Sequence, residues 1–177
     1  MLTIRPARWP DDAAALAGLD TSFTTERIYR VVCEELGFTL VEEPVDPPLW
    51  KSYGPISPPE PSAVPPIALV AELDDRVAGY AVVEFSEWNR RLQVSHLYVA
   101  PECRGRGVGT ALLAKLEWFG RTFGARCLWV ETQNVNLPAV EFYLRRGFRL
   151  CGLDTSLYDP AEPGSGEVAL FLSRDLS

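Results

Sequence analysis

This chain is short of the groups that build metal centres, disulfide frameworks and membrane spans. It carries one histidine, His96, and four cysteines in 177 residues. Cys33, Cys103, Cys127 and Cys151 are widely spaced, with no C-x-x-C pair and no histidine at ligand spacing. That excludes the common zinc patterns and predicts free thiols in a reducing compartment, so no metal is expected. No apolar run approaches the roughly 18–20 residues that cross a bilayer. The opening Met1-Leu2-Thr3-Ile4-Arg5-Pro6 lacks a signal-peptide stretch, so a cytoplasmic location without a membrane partner is expected. Cations are scarce as well: 17 Lys and Arg against 24 Asp and Glu leave a net charge of −7. Such a balance argues against nucleic acid as a partner. It suits a cationic small molecule, or simply keeps the protein in solution.

Proline, by contrast, is abundant and clustered. Nine of the fifteen prolines fall between Pro44 and Pro66, a stretch that can be neither helix nor central strand. Because it also holds Leu49, Trp50, Tyr53 and Ile56, the expectation is an ordered extended loop over 44–66. Around it the patterning predicts a strand at 2–6, a helix from Pro10-Asp11-Asp12 to Asp20, a second helix over Thr25–Leu36 and a strand at 38–42. Further on come a hairpin (67–73 and 77–85) around Asp74-Asp75-Arg76 and a strand at 92–99. A helix over 108–123 follows, with Val108, Leu112, Leu116, Phe119 and Phe123 on one face. A strand at 127–131, a helix at 138–146 and strands at 148–151 and 168–172 complete the order. The expected fold is a mixed α/β domain over 1–177 with a mostly antiparallel central sheet flanked by helices.

Between the strand at 92–99 and the helix at 108 lies Arg104-Gly105-Arg106-Gly107-Val108-Gly109. Alternating glycines leave backbone amides uncrowded where a helix begins, and the helix dipole and two arginines add positive charge. This predicts a pyrophosphate ligand. The run is G-x-G-x-G, one residue short of the dinucleotide fingerprint, and no Lys-Ser or Lys-Thr follows as a P-loop requires. Glycines that merely make a tight turn remain an alternative at this point.

The run Arg104-x-x-Gly107-x-Gly109, following Leu97-Tyr98-Val99, resembles the acetyl-coenzyme A loop of the GNAT family of N-acetyltransferases. Asn134 and the segment Ala139-Val140-Glu141-Phe142-Tyr143-Leu144-Arg145-Arg146-Gly147-Phe148 resemble that family's later motif, and the likeness is strongest over 67–152. Outside those motifs, Pro44-Val45-Asp46-Pro47-Pro48, Glu131-Thr132-Gln133-Asn134-Val135-Asn136 and Gly152-Leu153-Asp154-Thr155-Ser156-Leu157-Tyr158-Asp159 look like streptothricin acetyltransferases and their near relatives. The resemblance implies a sheet splayed at the acetyl-CoA site and direct acetyl transfer to a primary amine of a small cationic molecule. It implies that the coenzyme's pyrophosphate meets Arg104, Gly105, Arg106, Gly107, Val108, Gly109 and Thr110, and that its arm pairs with the backbone of Leu97, Tyr98 and Val99. Asn134, Asn136, Ala139 and Tyr143 join the expected coenzyme contacts, and capping of the following helix by Asn134 with Asn136 is an equal and compatible alternative.

Thioester aminolysis needs a proton acceptor for the ammonium, a donor for the oxyanion and an acid for the departing sulfur. The resemblance gives Tyr143 the last role. Glu131 and Glu84 are the candidate bases, with His96 as a possible relay. Asp154, Tyr158, Trp50 and Tyr53 are the expected acceptor-site residues, with Asp20, Glu26 and Asp159 as further carboxylates. Arg145 and Arg146 either meet phosphate or are solvated at a helix end. A non-catalytic acyl-CoA-binding module and a protein or peptide acetyltransferase are the alternative functions. A monomer or a homodimer fits equally.

Overall fold

The computed structural model describes residues 1–59, 65–159 and 166–176. In chain order the elements are β1 (Leu2–Pro6), α1 (Ala13–Ala17), β2 (Phe23–Cys33), β3 (Phe38–Lys51), β4 (Ile67–Leu73), β5 (Arg76–Ser86) and β6 (Arg91–Val99). A 3-10 turn (Pro101–Cys103), α2 (Val108–Thr122), β7 (Cys127–Gln133), α3 (Leu137–Arg145), β8 (Arg149–Asp154) and β9 (Ala169–Asp175) follow. The chain forms two compact units: Met1–Ser22 with Ser52–Trp129 and Asp175–Ser177, and Phe23–Lys51 with Val130–Arg174. Among the described residues no helix is long and apolar enough to cross a membrane.

In the first unit β1, β4, β5 and β6 are consecutive antiparallel neighbours. The β4–β5 turn closes on Asp74 and Asp75, both at positive φ, the geometry of a two-residue hairpin loop. Residues alternate across β5. Gly79 faces α2, and a Cβ there would stand 2.8 Å from the Tyr98 carbonyl oxygen and 3.0 Å from Val108. The absence of a side chain thus lets the start of α2 sit directly on the sheet. Val108, Leu112, Leu113 and Leu116 bury the rest of that helical stripe, each worth about 1.5–3 kcal/mol of burial. Tyr80 and Val82 point the other way, into a core with Leu16, Leu19, Ile56, Val70 and Ala100. Between β5 and β6 the register slips: Val82 faces His96 while Val83 faces Val94, leaving Ser95 as a bulge.

The helix expected from Pro10 to Asp20 shortens to α1 at Ala13–Ala17. Asp12 is drawn away from capping duty, since its two oxygens accept from Arg5 Nη1 and Nη2 at 2.7 Å each, and from the Arg8 amide at 2.6 Å. Arg5 also reaches Glu72 at 2.6 Å. The Arg5 guanidinium holds the Asp12 carboxyl down at about 2, and the Arg8 amide adds to it against the cost of burial.

In the second unit the helix expected at Thr25–Leu36 is instead a strand. β2 pairs with β3 as an antiparallel ribbon from Phe23 opposite Lys51 to Cys33 opposite Phe38. Ile28, Val31 and Val32 imitate a helical stripe. Their branching, with Thr24, Thr25 and Tyr29, favours the extended chain once β3 offers a ladder. The proline stretch changes accordingly: residues 44–51 belong to β3, residues 52–59 run irregularly, and 60–64 lie outside the described residues. Pro44, Pro47 and Pro48 are tolerated because a two-stranded ribbon leaves each strand an edge. Between Thr25 opposite Leu49 and Arg27 opposite Pro44, the four residues 45–48 bulge against Glu26 alone. Elsewhere in this unit the strand order is β7-β9-β8, with β8 and β9 antiparallel. α3 buries Leu137, Val140 and Tyr143.

Two outcomes follow. Asp12→Asn should lower stability at pH 7 by about 1 kcal/mol, solvent at the Arg5 edge screening part of the full shift. Because the folded-state pKa is depressed, wild type should lose this advantage as pH falls from about 4 towards 2; urea unfolding at stepped pH measures the closing gap. Gly79→Ala should cost about 1–3 kcal/mol by overpacking as the start of α2 is pushed outward. Thermal unfolding of the two proteins measures the cost.

Candidate active site

In the first unit the glycine loop joins the 3-10 turn to α2. Gly105 and Gly107 have φ of 74° and 86°, a left-handed region that costs other residues about 1–2 kcal/mol each. Nothing stands within 4 Å of a Cβ built at either, so conformation rather than crowding calls for glycine. Gly107 is the N-cap residue of α2, and the first intrahelical bond runs from the Ala111 amide to the Gly107 oxygen at 2.9 Å. The amides of the first turn therefore precede any intrahelical acceptor and lie at the positive end of a four-turn helix. The loop from Arg104 to Gly107 is exposed. Such a site fits a pyrophosphate.

The two loop arginines are more committed than the sequence suggests. Arg104 donates from Nε to the Val99 oxygen at 3.0 Å and from Nη2 to the Ser22 oxygen, and burial pulls its pKa down. It braces the loop. Arg106 forms an exposed ion pair with Asp74 at 2.9 Å, a contact weak enough for an anion to replace. Leu97, Tyr98 and Val99 face Ala81, Tyr80 and Gly79 on β5.

On the face of the sheet opposite α2, four rings line up. Tyr53 lies 5.5 Å from Tyr98, Tyr98 5.6 Å from His96, and His96 6.5 Å from Tyr80, centre to centre. His96 Nδ1 and the Tyr98 hydroxyl are 3.3 Å apart. His96 is exposed on β6, and partial desolvation of its ring lowers its pKa, with Glu84 acting against it. The Tyr80 hydroxyl is buried, and that burial pushes it up to about 12. Glu84 itself is exposed on β5, opposite Gln93. Asp20 is exposed and accepts from the Ser22 amide at 2.7 Å.

The second unit holds the other expected residues. Tyr143 is 5% exposed on α3, with ring centres of Phe142 and Phe148 at 5.4 and 5.2 Å. Asn136, expected to meet the coenzyme, caps α3 by accepting from the Ala139 amide at 3.1 Å, so those two expected contacts are joined to each other. Asn134 does not cap. Its amide donates to the Tyr29 oxygen at 2.7 Å and its oxygen accepts from the Val168 amide at 2.8 Å. With Ile28, Val31, Leu49 and Glu167 it borders a cleft of about 320 Å³.

Glu131 and Tyr158, expected as base and acceptor contact, come together: the phenol donates to Glu131 Oε1, and Gln133 Nε2 donates to the phenol oxygen at 3.0 Å. Sequence reasoning did not single out Gln133, although the alternation Glu131-x-Gln133 on a strand puts both on one face. The Lys51–Glu167 pair, only 25% and 10% exposed, also went unforeseen. Asp154 closes its own turn on Ser156, whose amide and hydroxyl hold it below the usual carboxylate range. Trp50 is 66% exposed on β3. Glu26 and Asp159 are exposed, as is Arg145, which pairs with Glu141 at 2.9 Å. The Arg146 guanidinium stacks 5.3 Å from the Phe142 ring centre. Among the described residues no three His, Cys, Asp or Glu side chains gather as a metal site.

The comparisons with known proteins extend these features to the whole chain. Residues 27–148 match the model of the acetyltransferase (GNAT) family. A streptothricin acetyltransferase of Streptomyces lavendulae is 41% identical over 176 residues, 96% of this chain and 92% of that protein. The crystal structure of a nourseothricin acetyltransferase superposes with a TM-score of 0.89 at 46% identity, covering 99% of both chains. A putative streptothricin acetyltransferase from Bacillus anthracis, solved in complex with acetyl coenzyme A, superposes with a TM-score of 0.83 at 26% identity over 99% of both chains. A matching family model, a relative alike over nearly the whole chain and near-complete superposition on acetyltransferases agree on one answer: this chain belongs to the GNAT family of acetyltransferases, enzymes that draw their acetyl group from acetyl-CoA.

Proposed function

We propose that this protein acetylates an amine of a streptothricin-type antibiotic and thereby confers resistance to it. The observation that carries this reading is the length of the likeness. It runs through 96% of the chain at 41% identity, so it takes in the β2–β3 ribbon and the residues after β8 as well as the coenzyme motifs. The net charge of −7 suits a polycationic acceptor.

Acetyl-CoA supplies an activated acyl group; the chain's residues do the rest. Amides at the start of α2, with Gly105 and Gly107 shaping the approach, are assigned the pyrophosphate. The backbone amide of Tyr98 or Val99 is assigned the negative charge that develops on the carbonyl oxygen. An alkylammonium has a pKa of about 10.4, so only about one molecule in 2,500 is neutral at pH 7. Removal of that proton falls to Glu84 or Glu131, directly or through a water. The Tyr143 phenol is assigned the proton that the departing sulfur takes up.

The acceptor reading is tested by thiol release from acetyl-CoA with streptothricin, simple diamines, polyamines and lysine-containing peptides. Streptothricin should be turned over with the highest kcat/KM. Faster acetylation of peptides would replace this reading with protein acetylation, and no acceptor-dependent release from any amine would leave a coenzyme-binding module. Tyr143→Phe should lower kcat by about 100-fold, the ordinary worth of a general acid, while the KM for acetyl-CoA stays within about twofold. An unchanged kcat would remove Tyr143 from that role.

A further inference from the structure

Among the described residues Glu131 has no cationic partner. It lies partly buried on β7, and its recorded partners are neutral: the Tyr158 hydroxyl donates to Oε1, and the Gln133 amide stands 3.5 Å from the same oxygen. Among the described residues no Lys, Arg or His pairs with it, whereas several other carboxylates of this unit do find cations. Glu167 is matched by Lys51, and Glu141 by Arg145 at 2.9 Å. Residues 60–64, 160–165 and 177 contain no Lys, Arg or His that could complete it. A part-buried charge left in this state costs free energy that a bound cation would offset.

The surroundings of Glu131 are built to hold such a cation. Gln133, 9% exposed, donates to the Tyr158 oxygen at 3.0 Å, and Tyr158 in turn donates to Glu131. This chain fixes one carboxylate oxygen and leaves the acceptor capacity of the other for an incoming donor. Burial, then the facing Glu131, then Glu167 raise the Tyr158 pKa well above the usual phenol range, so the hydroxyl stays protonated and serves as a donor. Glu167, which also acts on the phenol, is paired with Lys51, so the cluster of Glu131, Glu167 and Lys51 carries formal charges that sum to −1. A primary ammonium, with one positive charge and three donors, is its chemical complement.

We propose that Glu131, oriented by Tyr158 and Gln133, anchors an ammonium group of the acceptor, with Tyr158 as the positioning residue. The proposal rests on the acetyltransferase reading above and names the group by which that acceptor is recognised. It assigns Glu131 to holding the cation, which leaves proton removal to Glu84 or a water. No covalent step takes place at this cluster.

The test is steady-state kinetics of streptothricin acetylation by Glu131→Gln and Tyr158→Phe at two ionic strengths, with calorimetric titration of streptothricin into each protein. Glu131→Gln should raise the acceptor KM and Kd by about tenfold or more, the worth of one charge-paired contact, and flatten their salt dependence. The KM for acetyl-CoA should stay within about twofold and so certify the fold. Tyr158→Phe should give a smaller rise of the same kind, about threefold to fivefold. A fall in kcat at unchanged acceptor KM and Kd would make Glu131 the base and overturn the anchor; unchanged constants, or an equal rise in the KM for acetyl-CoA, would overturn it too. If wild type binds streptothricin but acetylates no amine, the acetyltransferase reading fails while the calorimetry still decides the anchor.

Discussion

The close seat of α2 on β5 is the constraint on which the geometry of the glycine loop depends. A helix N-terminus attracts an anion only if its first turn is held where the anion can reach it. Here the distance is set by a residue without a side chain: any Cβ at Gly79 would collide with the Tyr98 carbonyl and press on Val108. Val108 is also the first residue of the helix, one position past the left-handed Gly107. Sheet, helix start and glycine loop are therefore fixed by one local contact, and Arg104 locks it by spending its guanidinium on the Val99 and Ser22 carbonyls. Arg104 braces the loop while keeping its charge, and Arg106 is held only by its exposed pair with Asp74, so oriented amides and guanidinium groups together make the loop positive.

Much of this was legible in the chain. The glycine spacing, the apolar stripe of α2 and the Asp74-Asp75 turn are local signals, written within a few residues of where they act. The β2 strand was not, because Ile28, Val31 and Val32 satisfy a helical spacing on paper. What overrides it is a hydrogen-bond ladder to β3, a partner that local periodicity cannot announce. The candidate site divides the same way. Asn136 capping α3 is a contact over three residues and can be read directly. Tyr158 meeting Glu131 spans 27 residues, and Lys51 meeting Glu167 spans 116. Each residue type was informative alone, but only the fold shows which carboxylate has a lysine and which has only a phenol and an amide.

The acidic balance also acquires a structural meaning. Several of the few cations are consumed inside the protein: Arg5 on Asp12 and Glu72, Arg27 on Glu42, Arg30 on Glu43, and Lys51 on Glu167. Pairing within the fold leaves the surplus of carboxylates to face the solvent and any ligand. For the proposed cationic acceptor this surplus would supply an attraction, screened within about 8 Å at physiological salt, before any single residue selects it.

The prolines of β3 carry one more consequence. A ribbon of two strands has two outer edges, and each exposed edge offers donors and acceptors on which another chain could extend the sheet. Pro44, Pro47 and Pro48 supply no amide hydrogen, and the four-residue bulge beside Glu26 breaks the regular spacing of whatever remains. A stretch that looks on paper like an obstacle to strand formation therefore has a second effect. It keeps a long ribbon with exposed Phe38, Val41 and Trp50 from becoming a template for edge-to-edge aggregation.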